Sequence, residues 1–444
     1  KLDSSGKFIW AKSLFATDQR SSSDFLSSEK IIISNGFLYI VGRFTGSVDF
    51  DPGPGTYQLN STLYYRYDGF ILKLDLDGNF QWVKHLKGRE NKSVSSIDAD
   101  SKGNLYCTGY FSETIDFDFG PGVANMRPTD YDTYILKLAP NGNFIWAKQL
   151  KGDLLGNSSS AIKIDNLDNI YVLGQFYGSM DFDPGQSSFK LSPNGDLDAY
   201  LVKLDPSGNF VWANTIAGPE FSLSEDLDID ASGFIYCIGD FYGSLDFNLV
   251  NGTKRLKSFG EQDVFICKFN PDGKVLWANN FGSPENDGVS GIALGLQNEI
   301  FISGSFQDIA DFYSATGGKL LSSKGTYDLY LLKLDLDGNY LCVNSTGSSS
   351  WDFAAEVIID KQNNLYLTGS FNATVDFDFG LGVTELTTTG INPNPDAFLL
   401  KYKNCFNKFT IDTVYACDSY TWSANGVTYT ADRKSTRLNS SHQI

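Results

Sequence analysis

Four Asp-Phe-Asp segments set two aspartates two residues apart: Asp49 and Asp51, Asp116 and Asp118, Asp181 and Asp183, and Asp376 and Asp378. Twice the segment reads Asp-Phe-Asp-Pro-Gly, at Asp49–Gly53 and Asp181–Gly185. Such a pair could ligate a hard cation such as calcium through its oxygens. It could equally cap its own turn, each carboxylate accepting backbone N–H bonds. At two further occurrences the second acid is replaced by Asn248 and Tyr313, and a shared metal site does not lose a ligand so easily. Capping is therefore the expected role and calcium the alternative; no other cofactor is expected.

Aromatic and guanidinium side chains gather where the chain departs from its own regularity. Tyr64, Tyr65, Arg66 and Tyr67, then Arg89, Arg127, Arg255 and Trp351, have the composition of protein-binding hot spots, and aromatic faces also stack on sugars. They are the candidate binding residues. Nucleophilic catalysis is poorly served. His85 is the sole histidine ahead of residue 432 and reads as a solvated strand residue, so neither a Ser-His-Asp triad nor a His-rich zinc site is expected. The six cysteines show no Cys-x-x-Cys spacing. Cys107, Cys237 and Cys342 read as packing thiols, whereas Cys405 and Cys417 could pair in an oxidising compartment.

What positions these residues is a repeat with a period near 65. Gly42, Gly109, Gly174, Gly239, Gly304 and Gly369 are each followed two residues later by Phe44, Phe111, Phe176, Phe241, Phe306 and Phe371. An Asp-Phe pair comes five residues further on, and later an Asp-x4-Lys step such as Asp68 to Lys73 or Asp198 to Lys203. A catalytic acid has no reason to recur in every unit, so the step reads as structural ion pairing, worth little where exposed. Each unit closes on an aromatic, Trp10, Trp82, Trp146, Trp212 and Trp277, with Cys342 in the sixth place.

Within one unit the pattern predicts four strands, here named A to D. In residues 93–150, A ends at Ile97-Asp98-Ala99-Asp100, B spans Asn104–Phe111, C spans Thr133–Leu138, and Asn141-Gly142 turns C into D, Phe144–Leu150. Asn-Gly and Asp-Gly between apolar runs are strong hairpin signals. Four antiparallel strands at a long period fit the blade of a β-propeller, whose phenylalanines and tryptophans wedge neighbouring sheets together. The expected fold is all-β: four-stranded antiparallel blades, six repeat modules of about 65 residues over residues 1–402. Residues 403–431 read as the start of a second β module, and residues 432–444 as a non-native tail. Lys1-Leu2-Asp3 resembles the end of a C strand, so the expectation is a chain that continues upstream, with seven blades in the intact protein. Within residues 1–402, a D strand opens the chain and the last A-B-C set has none after it.

Composition agrees with this architecture. The 444 residues are 41% hydrophobic and 14% aromatic, with 43 Gly, 34 Phe and 23 Tyr, which suits many short strands between glycine turns. The 53 acidic residues against 35 basic give a net charge of -18, which argues against electrostatic capture of nucleic acid or anionic lipid. No apolar run approaches the roughly eighteen residues of a membrane-spanning helix.

Asp100 to Gly109 (Asp-x-x-Gly-Asn-Leu-Tyr-x-Thr-Gly) and Val202 to Asn214 resemble the SBBP-type β-propeller repeat of secreted bacterial proteins. Ala416 to Trp422 looks like modules of large bacterial surface proteins. The resemblance implies a secreted or cell-surface protein with A as the innermost strand. The A–B and C–D turns then share one face, and the long B–C and D–A connections share the other, where loop variation on a rigid scaffold favours recognition. Neither resemblance brings a catalytic motif. The expected function is a non-catalytic extracellular scaffold presenting those loops for protein or glycan binding; the alternatives are a secreted glycan-active hydrolase or lyase, and a structural spacer of an adhesin-like protein. Propeller sialidases share an Asp-box hairpin that Asp77, Gly78 and Trp82 approach, but here the glycine falls one place early.

Overall fold

A computed structural model describes, with side chains, residues 1–3, 6–16, 25–63, 65–154, 156–313, 316–380, 382–388 and 395–402; beyond these it describes the backbone of the strands up to residue 430. The described residues contain no α-helix. Six antiparallel sheets of the β-propeller blade type follow one another, each with strands in the order A-B-C-D; five are four-stranded, and that of module 2 continues into Met180–Asp181 and Lys190–Leu191. In module 2 these are Ser96–Ala99, Leu105–Phe111, Asp132–Leu138 and Phe144–Gly152. Module 6 takes Phe353–Ile359, Asn364–Phe371, Asp396–Cys405 and, as its D strand, Lys408–Ala416. That last segment is one the sequence places in a second module. It lacks the glycine turn that precedes the other D strands and the tryptophan that four of them carry.

The chain divides into two compact units. The N-terminal unit comprises Trp10–Ile235 with Phe269–Lys274, and the C-terminal unit comprises Lys1–Ile9, Tyr236–Lys268 and Val275 onward.

The constant glycine of each module has a local cause. Strand A carries a bulge against strand B between Ser28 and Lys30, Ser159 and Ala161, Val289 and Gly291, and Ala354 and Glu356. Gly42, Gly174, Gly304 and Gly369 pair with the residue just before it. A β-carbon on Gly42 or Gly304 would overlap the carbonyl oxygen of Ser27 or Gly288, so the extra residue of the bulge fits only over bare backbone.

The phenylalanine two places on is buried at the centre of a herringbone. Phe111 meets Phe117 of the Asp-Phe pair edge-on at 5.4 Å, and Phe117 lies 4.9 Å from Tyr134 of strand C. Phe176, Phe182 and Tyr200 repeat this, as do Phe306, Phe312 and Tyr330, and Phe371, Phe377 and Phe398. The aspartate of the pair ends the first strand of a short ribbon inside the B–C connection, such as Thr374–Asp376 paired with Glu385–Thr387.

The tryptophans act between modules. The rings of Trp10 and Trp146 lie 3.1 Å from where a β-carbon on Gly78 or Gly208 would stand, in the next C–D turn. Those glycines also hold a positive φ of 77° and 78°. Trp212 Nε1 donates to Pro271 O at 3.1 Å, and Trp277 Nε1 to Leu336 O at 3.3 Å. The lysine of the Asp-x4-Lys step reaches the same turn: Lys73 Nζ donates to Pro140 O at 2.9 Å while lying over the Phe37 and Tyr39 rings. Its aspartate sits at the opposite end of strand C. The step is thus structural, but it is not one ion pair.

Within the N-terminal unit the A strands stand side by side. Ile164 N donates to Asp98 Oδ2 at 2.8 Å, Ser160 and Ser224 meet hydroxyl to hydroxyl at 2.8 Å, and Lys30 Nζ reaches Asp226 at 3.4 Å. A–B turns also touch one another, Ser101 N donating to Asp168 Oδ1 at 3.0 Å, and Gly103 of the A–B turn lies beside Pro140 of the C–D turn. A–B and C–D turns therefore share an edge, which leaves B–C and D–A connections on the other.

Candidate binding site

In modules 1 to 5 strand C carries a buried aspartate, Asp68, Asp132, Asp198, Asp263 or Asp328, that gathers groups from the end of strand D and the following D–A loop. Asp132 Oδ1 accepts Gly152 N at 2.9 Å and its Oδ2 accepts Gln149 Nε2 at 2.6 Å. The residue facing this aspartate from the start of the next module recurs at intervals of 65: Lys92, Asn157, Ser222, Asp287 and Asp352. Chemistry changes at this one position while the frame stays fixed. Lys92, fully buried, donates to Asp68 Oδ1 at 3.0 Å and lies 3.3 Å from Glu113, while His85 Nε2 is 2.8 Å from the other Asp68 oxygen. His85 is therefore a partner of a buried carboxylate rather than a solvated residue. Asn157 donates to Tyr131 O at 2.9 Å, and Ser222 Oγ to Asp198 Oδ1 at 3.2 Å.

In the C-terminal unit the same position brings acid against acid. Asp263 and Asp287 are both buried and converge on Gly282, whose β-carbon would overlap Asp263 Oδ1 and stand 2.9 Å from Asp287 Oδ2. Burial pushes Asp263 up to about 7, and the Asp287 carboxyl beside it adds to the shift. Burial likewise pushes Asp287 up to about 6, held there against the amides of Gln307 and Ser283. Asp328, facing Asp352, is also raised, by burial first.

Asp287 lines a cavity of about 480 Å³ with Tyr242, Gln262, Asn286, Ser290, Tyr327 and Phe353. These residues come from the end of strand B, the start of strand C and the D–A connections, which is the B–C/D–A edge. A polar chain runs along one wall: Tyr242 Oη donates to Gln262 Oε1 at 2.8 Å, Gln262 Nε2 to Asp240 Oδ2 at 2.9 Å, and Val289 N to Asp240 Oδ1 at 3.1 Å. Rings form the other wall, Tyr327 lying 5.1 Å from Phe353 and Trp351 5.7 Å from Phe353.

Of the eight binding residues expected from sequence, Trp351 lies beside this cavity. Tyr65, Arg66 and Tyr67 form a separate group in the N-terminal unit. Arg66 lies 5.8 Å from the Tyr65 ring and 3.5 Å from Glu90; Arg43 lies 4.9 Å from the Tyr67 ring, which meets Phe25 at 5.4 Å. Tyr65 is 71% exposed. Arg89 and Arg127 are exposed elsewhere, and Arg255 is held bidentate by Asp246 at 2.6–2.7 Å on a hairpin arm. Tyr64 lies outside the described residues. So does Cys417, as does the side chain of Cys405; Cys107, Cys237, Cys267 and Cys342 are free thiols.

The paired aspartates serve their own loops. Asp49 Oδ1 accepts Asp51 N at 3.0 Å and Tyr57 N at 2.8 Å, and Asp51 Oδ1 accepts Gly53 N at 2.8 Å. Asp116 and Asp118, Asp181 and Asp183, and Asp376 and Asp378 repeat the pattern. Among the described residues no group of three or more His, Cys, Asp or Glu is placed to hold a metal ion. Neither calcium nor a chelator is expected to move the melting temperature, whereas Asp181→Ala should cost about 1–3 kcal/mol by releasing two loop amides; a calorimetric scan with calcium and with EDTA checks both.

No family model matches the chain. It is similar to the uncharacterized WD repeat-containing protein L264 of Acanthamoeba polyphaga mimivirus, 22% identical over 452 residues, covering 84% of this chain and 32% of that protein. It is also similar to the regulatory protein FlaEY of Caulobacter vibrioides, 22% identical over 249 residues, covering 53% of this chain and 25% of that protein. The chain thus spans about a third and a quarter of these relatives. Among solved structures it resembles the Pan2 WD40 domain of Neurospora crassa, with a TM-score of 0.37, 10% identity and coverage of 77% and 85%, and Sqt1 of Chaetomium thermophilum, with a TM-score of 0.36, 11% identity and coverage of 81% of each chain. The six repeated sheets make the fold a β-propeller.

Proposed function

We propose that this chain is a secreted or cell-surface scaffold of SBBP-type propeller repeats, which binds a protein or glycan ligand on the edge carrying its B–C and D–A connections. The observation that carries this reading is the cavity of about 480 Å³ in the C-terminal unit. It is built where the modules differ from one another, while the constant residues are spent on the bulge, the herringbone and the tryptophan contact. Its Tyr, Phe and Trp rings have the composition of recognition sites.

Binding fits the site better than hydrolysis. Two glycosidase carboxyls stand about 5–10 Å apart across the bond they cleave, whereas Asp263 and Asp287 meet at one glycine with only Asp287 reaching the cavity. Secretion is supported by the repeat resemblance and is checked by labelling intact cells with a membrane-impermeant reagent. For the binding role, Tyr327→Ala is expected to weaken the captured ligand by about tenfold or more while the melt stays within a few degrees. Pull-down and glycan-array screens that return nothing would instead favour the spacer.

A further inference from the structure

Resting on the proposed binding role of that cavity, we infer that its ligand is a neutral saccharide unit rather than an anion or a protein side chain. The cavity offers the two kinds of surface a pyranose presents to a protein. Tyr327 and Phe353, both half-buried and 5.1 Å apart, give ring faces for the apolar C–H side of a sugar, and Trp351 extends them. Opposite them, Gln262 and Asn286 supply amides, Ser290 a hydroxyl, and Asp287 a carboxyl, a mixture of donors and acceptors suited to hydroxyl groups that are both.

Charge selects among sugars. No Lys, Arg or His lines the cavity, while Asp287 is in its wall and Asp240 and Asp263 lie just behind. An anionic sugar would meet carboxyls without a compensating cation, a mismatch that disfavours it. The space, about 480 Å³, lies within the range for small-ligand binding sites.

The test is titration calorimetry of the full chain with neutral oligosaccharides (cello-, manno- and xylo-oligosaccharides and N-acetylglucosamine oligomers) and with anionic ones (oligogalacturonate and heparin fragments). The variants are Tyr327→Ala, Tyr327→Phe and Gln262→Ala, with unfolding followed in parallel. A neutral oligosaccharide is expected to bind, with affinity falling about tenfold in Tyr327→Ala and Gln262→Ala and kept in Tyr327→Phe. Binding of the anionic series alone, or no saccharide binding at millimolar concentrations, overturns the inference. A protein ligand lost in Tyr327→Ala overturns it too, but leaves the proposed binding role standing. A ligand indifferent to every substitution on this edge removes both.

Discussion

Lys92→Ala is expected to destabilise the N-terminal unit by about 3–5 kcal/mol, because it leaves the Asp68 carboxylate buried beside Glu113 with no cation of full charge. The ammonium is fully buried and also donates to Glu90 O, so three acceptors lose their donor at once. For a unit of this size the loss corresponds to a fall of roughly 10 °C in Tm. The molecule contains its own controls. Lys92→Asn recreates the Asp132 and Asn157 arrangement of the next module, so it should cost less than the alanine. Asp68→Asn combined with Lys92→Met should recover part of the loss by removing both charges together. Urea unfolding of the parent and the three variants gives the ordering; an alanine variant within about 1 kcal/mol of the parent would mean that the pair contributes little.

Stability of the C-terminal unit should fall as pH rises from about 4 to about 7. Unfolded, Asp263 and Asp287 titrate near the ordinary carboxyl value of about 4. Folded, they hold protons up to about 7 and about 6. Across that interval the native state binds more protons than the unfolded state, so each rise in pH favours unfolding, in total by on the order of 7 kcal/mol. The groups facing the pair do not offset this: Asp240 lies behind Gln262, Glu285 is nearby on the same loop, and Tyr242, Tyr327 and Tyr330 are neutral throughout the interval. Asp287→Asn should flatten the profile and raise the melting temperature at pH 8, since an amide at this position is already accepted at Asn157. Melts at pH 5 and pH 8 decide it. A parent profile that is flat, or that rises with pH, contradicts the shared burial of the two acids.

The frame of the fold is legible in the sequence because each module repeats its own constraints. Glycine is required by the A-strand bulge, phenylalanine by the herringbone, and tryptophan by the next C–D turn, so all three stand out at a spacing of 65. Two parts of the frame are harder to read. The short ribbons inside the B–C connections are two to four residues per strand, too short for alternation to register. The D strand of module 6 lacks the glycine turn that announces the others and the tryptophan that four of them carry.

The cavity is less visible because its residues are unremarkable one at a time. Gln262 and Tyr327 precede the constant aspartate of strand C, where other modules have Tyr67, Tyr131, Leu197 and Pro395; Asp287 stands where others have Lys92, Asn157, Ser222 and Asp352. A search for clustered aromatics and arginines finds Tyr65 to Tyr67 and passes over these positions. At fixed register Gln262 and Asp287 stand out, because they change class between modules, whereas Tyr327 repeats Tyr67 and Tyr131. The paired acids are invisible within any single module, since Asp263 comes from strand C of one and Asp287 from the entry to the next.

The account stands on recognition residing at the edge that carries the B–C and D–A connections. The direct measurement is binding of one captured ligand to two variants of the C-terminal unit, Tyr327→Ala on that edge and Asp337→Ala in the exposed C–D turn. Loss in the first with full affinity in the second is the expected result; loss in the second with the first unchanged would place recognition on the opposite edge and contradict the account.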